Sequence, residues 1–105
     1  MAEKQSLHST HQWIATVAEE FGVSPELARE LVGDILDLTA DVAHNGPSRP
    51  AAPTTAFLVG LAAGQDFEPG QDTADRAARV RELVARTSEL LQRYEKKEES
   101  ADEQD

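Results

Sequence analysis

Apolar side chains along this chain recur at intervals of three and four, and nowhere do apolar and polar residues alternate over a run closed by turn residues. That spacing predicts helices and no strands. From about His8 to Phe21, Trp13, Ile14, Val17, Ala18 and Phe21 would share one buried face, and Gly22 would close the helix. Ser24 and Pro25 then read as an N-cap and a first helical residue, because proline lacks only an N–H that would be unpaired there anyway. Leu27, Leu31, Ile35, Leu38 and Val42 form the stripe of this second helix, which Asn45-Gly46-Pro47 should end near His44. Residues 45–53, NGPSRPAAP, read as an extended connector. Thr54 or Thr55 would cap a third helix over Ala56–Ala63, closed by Gly64. Its sequence, AFLVGLAA, has no polar face, which predicts burial on several sides at the centre of the fold. After a loop over 65–71, with Phe67 turned inward, Asp72 would cap the last helix. That helix has an apolar face of Val80, Leu83, Val84, Thr87, Leu90, Leu91 and Tyr94. Its remaining surface, rich in arginine and glutamate, reads as salt-bridged and solvated.

The expected architecture is all-α: a four-helix bundle-like single domain over residues 7–94, with one short buried central helix. A frayed N-terminus at 1–6 precedes it. At 95–105 the segment EKKEESADEQD has six acids, two lysines and no apolar side chain larger than alanine. It cannot bury enough surface to offset its ordering entropy, so a disordered acidic C-terminal tail is expected.

Composition narrows the classes of function. The 105 residues suit one small domain, and 20 acids against 10 basic residues leave a net charge of -10. The tail accounts for -4 of that, so the body is acidic as well. Such a chain is poorly suited to a phosphate backbone or an anionic membrane. The absence of cysteine excludes disulfides and thiolate chemistry. No apolar run has the length of a membrane span, and residues 1–11 lack the pattern of a secretory signal. A cytoplasmic location follows as the expectation.

Candidate chemistry is sparse. His8 and His11 can share a helix face, but no third ligand accompanies them, so no metal site is expected. Asp34, Asp37 and Asp41 share one side of the second helix, a pattern equally that of a solvated acidic face. The more informative group surrounds the connector: Asp41 and His44, then Arg49, then Thr54 and Thr55. An arginine beside a helix start with two hydroxyls can hold a phosphate or a carboxylate. The structural alternative is that Arg49 pairs with Asp41 or bonds the last carbonyls of the second helix. Neither a glycine-rich phosphate loop nor a nucleophile elbow is present, so no catalytic residues are assigned and no enzyme is expected.

The stretch Asp41 to Gly64, DVAHNGPSRPAAPTTAFLVGLAAG, carries a resemblance. With the segment around Trp13 and Leu36-Asp37-Leu38, it resembles a family of short actinobacterial helical domains without an assigned activity. These are often labelled molybdopterin-guanine dinucleotide biosynthesis proteins and are sometimes fused to the molybdenum cofactor guanylyltransferase. The resemblance implies a link to that cofactor and a guanylyltransferase or molybdoenzyme as partner. The chain is too short for the nucleotide-binding α/β domain of a guanylyltransferase and lacks its glycine-rich loop. The expected role is therefore a non-catalytic accessory or protein-interaction domain that binds no cofactor of its own and presents Asp41–Thr55 to its partner. Two alternatives stay open: a small-molecule or phosphate site in the His44–Thr55 loop, and a purely structural self-associating bundle.

Overall fold

A computed structural model describes the backbone of residues 2–104 and the side chains of residues 8–94. The expectations for segments 1–6 and 95–105 fall outside the described side chains. The fold is all-α: four helices, α1 (Ala2–Phe21), α2 (Pro25–Asn45), α3 (Ala51–Asp66) and α4 (Thr73–Gln104), with no strand among the described residues. The chain divides into two compact units, Met1–Val32 and Gly33–Asp105.

In the first unit, α1 ends as its glycine predicts. Gly22 has a φ of 71°, its N–H donates to the Glu19 carbonyl at 3.2 Å, and the Val23 N–H donates to the Ala18 carbonyl at 2.8 Å. This paired closure satisfies two carbonyls at the helix end and needs the left-handed conformation that glycine adopts without strain. Two residues later the Leu27 N–H donates to Ser24 Oγ at 3.3 Å, which makes Ser24 the N-cap of α2. Ala18, Leu27, Leu31 and Val32 are buried. Trp13 and Phe21 are not: they are 67% and 75% exposed, contrary to the face expected of α1. Helical spacing states which side chains lie together, not whether anything covers them.

In the second unit, Leu38 and Val42 from α2 are buried along with Ala52, Val59 and Ala63 of α3 and Ala77, Val80 and Leu91 of α4. Helices α3 and α4 pack on each other as an antiparallel pair. The turn between them, Glu68-Pro69-Gly70-Gln71, is closed by the Gln71 N–H donating to the Glu68 carbonyl at 3.1 Å, with Gly70 at a φ of 83°. Proline at its second position and glycine at its third suit a type II turn. Asp72 then caps α4, accepting from the Asp75 N–H at 2.8 Å. Asp72→Ala should lower stability by about 1 kcal/mol, read as a reduced denaturation midpoint with an unchanged slope.

Four expectations for α3 need correction. The helix starts at Ala51, five residues before the expected start, with Pro50 as N-cap and no side-chain cap. Pro53 occupies its third position, where the missing N–H has no intrahelical partner to lose, so the proline run enters the helix instead of delaying it. Thr55 is consequently not a cap: its hydroxyl donates back to the Ala51 carbonyl at 2.7 Å. Gly64 does not close the helix, which continues to Asp66. Nor is α3 surrounded. Ala52, Val59 and Ala63 are buried, but Phe57, Leu58 and Leu61 are exposed, Leu58 to 56%. One side of the helix meets the core and the other, equally apolar, meets solvent.

Candidate functional site

The charged surface of the second unit is laid out in sequence order along α4. Near its start, Arg76 donates to the Glu68 carbonyl at 2.8 Å and lies over the Phe67 ring, 5.0 Å from its centroid. Arg79 bonds Asp66 through Nε at 2.7 Å and reaches Glu82 at 3.1 Å. The bonds to Asp66 and then Glu82 raise the Arg79 pKa above the ordinary arginine value. Arg81 meets Asp34 of α2 at 3.2 Å. These contacts give a salt-bridged face over the first part of α4, as the arginine–glutamate pattern predicts, but the expectation fails further along, where Arg86, Glu89 and Arg93 form no ion pair among the described residues; Asp34 is assigned to structure.

The residues singled out around the connector do not converge into one polar site. Asp41 accepts from Asn45 Nδ2 at 2.7 Å, one turn along the same helix. His44, Arg49 and Thr54 are exposed. The Thr55 hydroxyl is committed to its own helix. No hydrogen bond or ion pair joins any two of Asp41, His44, Arg49, Thr54 and Thr55 among the described residues, so Arg49 does not pair with Asp41. Among the described residues no three histidine, aspartate or glutamate side chains group to hold a metal ion. In the first unit, His11 borders a small hollow of about 180 Å³ with Ile14, Pro25 and Arg29, and its Nδ1 is buried without a partner.

The connector instead borders a feature of different chemistry. A cleft of about 500 Å³ lies between α3 and α4. Its α3 wall is formed by Ala51, Thr55, Leu58, Val59 and Ala62, and its α4 wall by Leu83, Thr87, Leu90, Leu91 and Tyr94. Val42 and Pro47 close the end nearest the connector. Both threonines have their hydroxyls bonded to carbonyls four residues back, Thr55 to Ala51 at 2.7 Å and Thr87 to Leu83 at 2.8 Å. Each therefore adds a methyl group to the wall without a free donor hydrogen. Leu58 and Leu90 are both 56% exposed at its edge, and Phe57 and Leu61 extend the apolar surface along α3. Exposed large hydrophobics gathered beside a concave apolar wall distinguish a binding surface from scattered surface residues.

Sequence reasoning missed this cleft because its walls come from two different helices, residues 51–62 and 83–94, whose facing no local pattern reports. The signal that could have found it was the lack of a polar face on α3, which fits a helix with one side on the core and the other reserved for a partner as well as it fits full burial.

The family model for DUF6457, a domain of unknown function, matches residues 5–99, nearly the whole chain. No curated protein and no solved structure matches the chain. No helix among the described residues is long and apolar enough to cross a membrane. The chain belongs to the DUF6457 family.

Proposed function

For this DUF6457 domain we propose a non-catalytic protein-interaction role, in which the cleft between α3 and α4 and the adjoining connector receive a segment of a partner protein. The observation that carries this reading is the apolar cleft with Leu58 and Leu90 exposed at its edge. Covering the exposed half of each of these side chains with a partner is worth roughly 1–1.5 kcal/mol. A wall this poor in free polar groups offers little to a phosphate or nucleotide, which argues against the small-molecule alternative at this cleft. The resemblance carried by Asp41–Gly64 to domains labelled for molybdopterin-guanine dinucleotide biosynthesis supports a molybdenum cofactor guanylyltransferase or a molybdoenzyme as the partner, with this domain as its accessory.

The test is calorimetric titration of the full chain into a molybdenum cofactor guanylyltransferase, beside Leu58→Asp and Leu90→Asp. Both positions are exposed, so both variants should keep the wild-type helical spectrum and melt close to it. Each should weaken the complex about tenfold or more, because a charge would replace an apolar side chain that the partner covers. Equal affinity for wild type and both variants would remove the cleft from the proposal. No heat of binding with the guanylyltransferase would remove the cofactor link.

A further inference from the structure

The arginines of the second unit fall into two groups. Arg76, Arg79 and Arg81 are all engaged, by a carbonyl and a ring or by carboxylates. Arg49, Arg86 and Arg93 are exposed, and no carboxylate lies within ion-pair distance of them among the described residues. In a chain with twice as many acids as bases, guanidinium groups left without carboxylates are unexpected. All three stand next to cleft residues. Arg49 lies between Pro47 and Ala51, which line it. Arg86 and Arg93 are four residues before and three residues after Leu90, the spacings that make helix neighbours. Glu89 shares that edge of α4 yet pairs with neither, and Asp41 on the α2 side is already bonded to Asn45. Asp34, Asp66 and Glu82 pair with Arg79 and Arg81, in the engaged group.

An apolar trough bordered by unpaired cations, on a protein otherwise rich in anions, has a defined complement. The geometry points to an amphipathic helix of another protein, with apolar anchors at i, i+3, i+4 and i+7 and carboxylates on its flanks, as the occupant of the α3–α4 cleft. This rests on the docking role proposed above and adds the charge of the partner. The carboxylates would meet Arg49, Arg86 and Arg93, and the bidentate match of guanidinium to carboxylate would fix the register of the bound helix. The positive edge would also select against basic helices, which the chain's overall negative charge would otherwise attract.

The test uses the full chain and two synthetic helical peptides of about 18 residues, or five turns. They share leucine and tryptophan anchors and differ only in flanks of glutamate or lysine. The glutamate peptide should bind about tenfold more tightly or better in low-salt buffer, and the preference should fade near 1 M salt, where the screening length is about 3 Å. The Arg86→Glu/Arg93→Glu variant, checked by its helical spectrum, should lose or reverse the preference. Equal binding of the two peptides would overturn the charge assignment and leave the docking role standing. Binding of neither peptide would overturn both. Concentration-dependent dimerisation that Leu90→Asp abolishes would overturn it too, by assigning the cleft to a second copy of this chain.

Discussion

Leu38→Asp should abolish folding of the second unit, and Leu38→Ala should destabilise it by about 2–5 kcal/mol. Leu38 is only 2% exposed, the most enclosed large side chain described, at the middle of the stripe that α2 turns into the core. Alanine there removes most of the side chain and leaves a hole that the neighbouring helices can only partly fill. Aspartate additionally buries a carboxylate where no described side chain of opposite charge is buried. A domain of this size has about 5–15 kcal/mol of stability in all, so the charged variant exceeds what it can lose. Circular dichroism through a urea titration reads both variants, and Leu58→Asp is the internal control. If Leu38→Asp melted like wild type, the assignment of α2 to the core would be wrong.

The second large effect is expected at Gly46. Its N–H donates to the Val42 carbonyl at 2.9 Å, closing the end of α2. A Cβ placed on Gly46 would stand 2.6 Å from that carbonyl oxygen and 3.1 Å from Leu91 Cδ1 of α4. The first contact is with backbone and cannot be relieved by a rotamer change. Either the end of α2 or the path into the connector has to move. Gly46→Ala should therefore cost about 1–3 kcal/mol, and Gly46→Val should cost more because its branched side chain also presses on Leu91. The order wild type, alanine, valine in denaturation midpoint is the expected result. An alanine variant as stable as wild type would show that this corner yields easily. Gly46 has no positive φ, so the reason for glycine here is space, not backbone conformation.

What the residues disclosed in advance follows from the range over which each feature is determined. The caps of α2 and α4 were legible because Ser24 with Leu27, and Asp72 with Asp75, settle their bonds within four residues. The stripe of α2 was legible because one helix carries all of it: Leu27, Leu31, Leu38 and Val42 are buried and Ile35 is half-buried. The start of α3 was misjudged because prolines were weighed as helix breakers, whereas Pro53 falls in the one turn that tolerates them. The exposure of Trp13 and Phe21 was not legible, since it depends on what the rest of the chain places opposite them. For the candidate site, the sequence singled out the connector and suggested polar chemistry there, whereas the cleft that the connector borders is apolar. Arg49 and the two threonines suggested an anion pocket. Thr55 in fact spends its hydroxyl hydrogen on Ala51, and the cleft beside it is assembled from α3 and α4, whose facing residues no local pattern can pair.

The inward-bonded threonines carry a consequence for thermodynamics. With the Thr55 and Thr87 hydroxyls tied to Ala51 and Leu83, water inside the cleft meets almost only hydrocarbon. Water against such a surface contributes a large hydration heat capacity, which is lost when the surface is covered. Filling this cleft should therefore make the enthalpy of association grow more negative with rising temperature, so that a complex driven by entropy in the cold becomes driven by enthalpy in the warm.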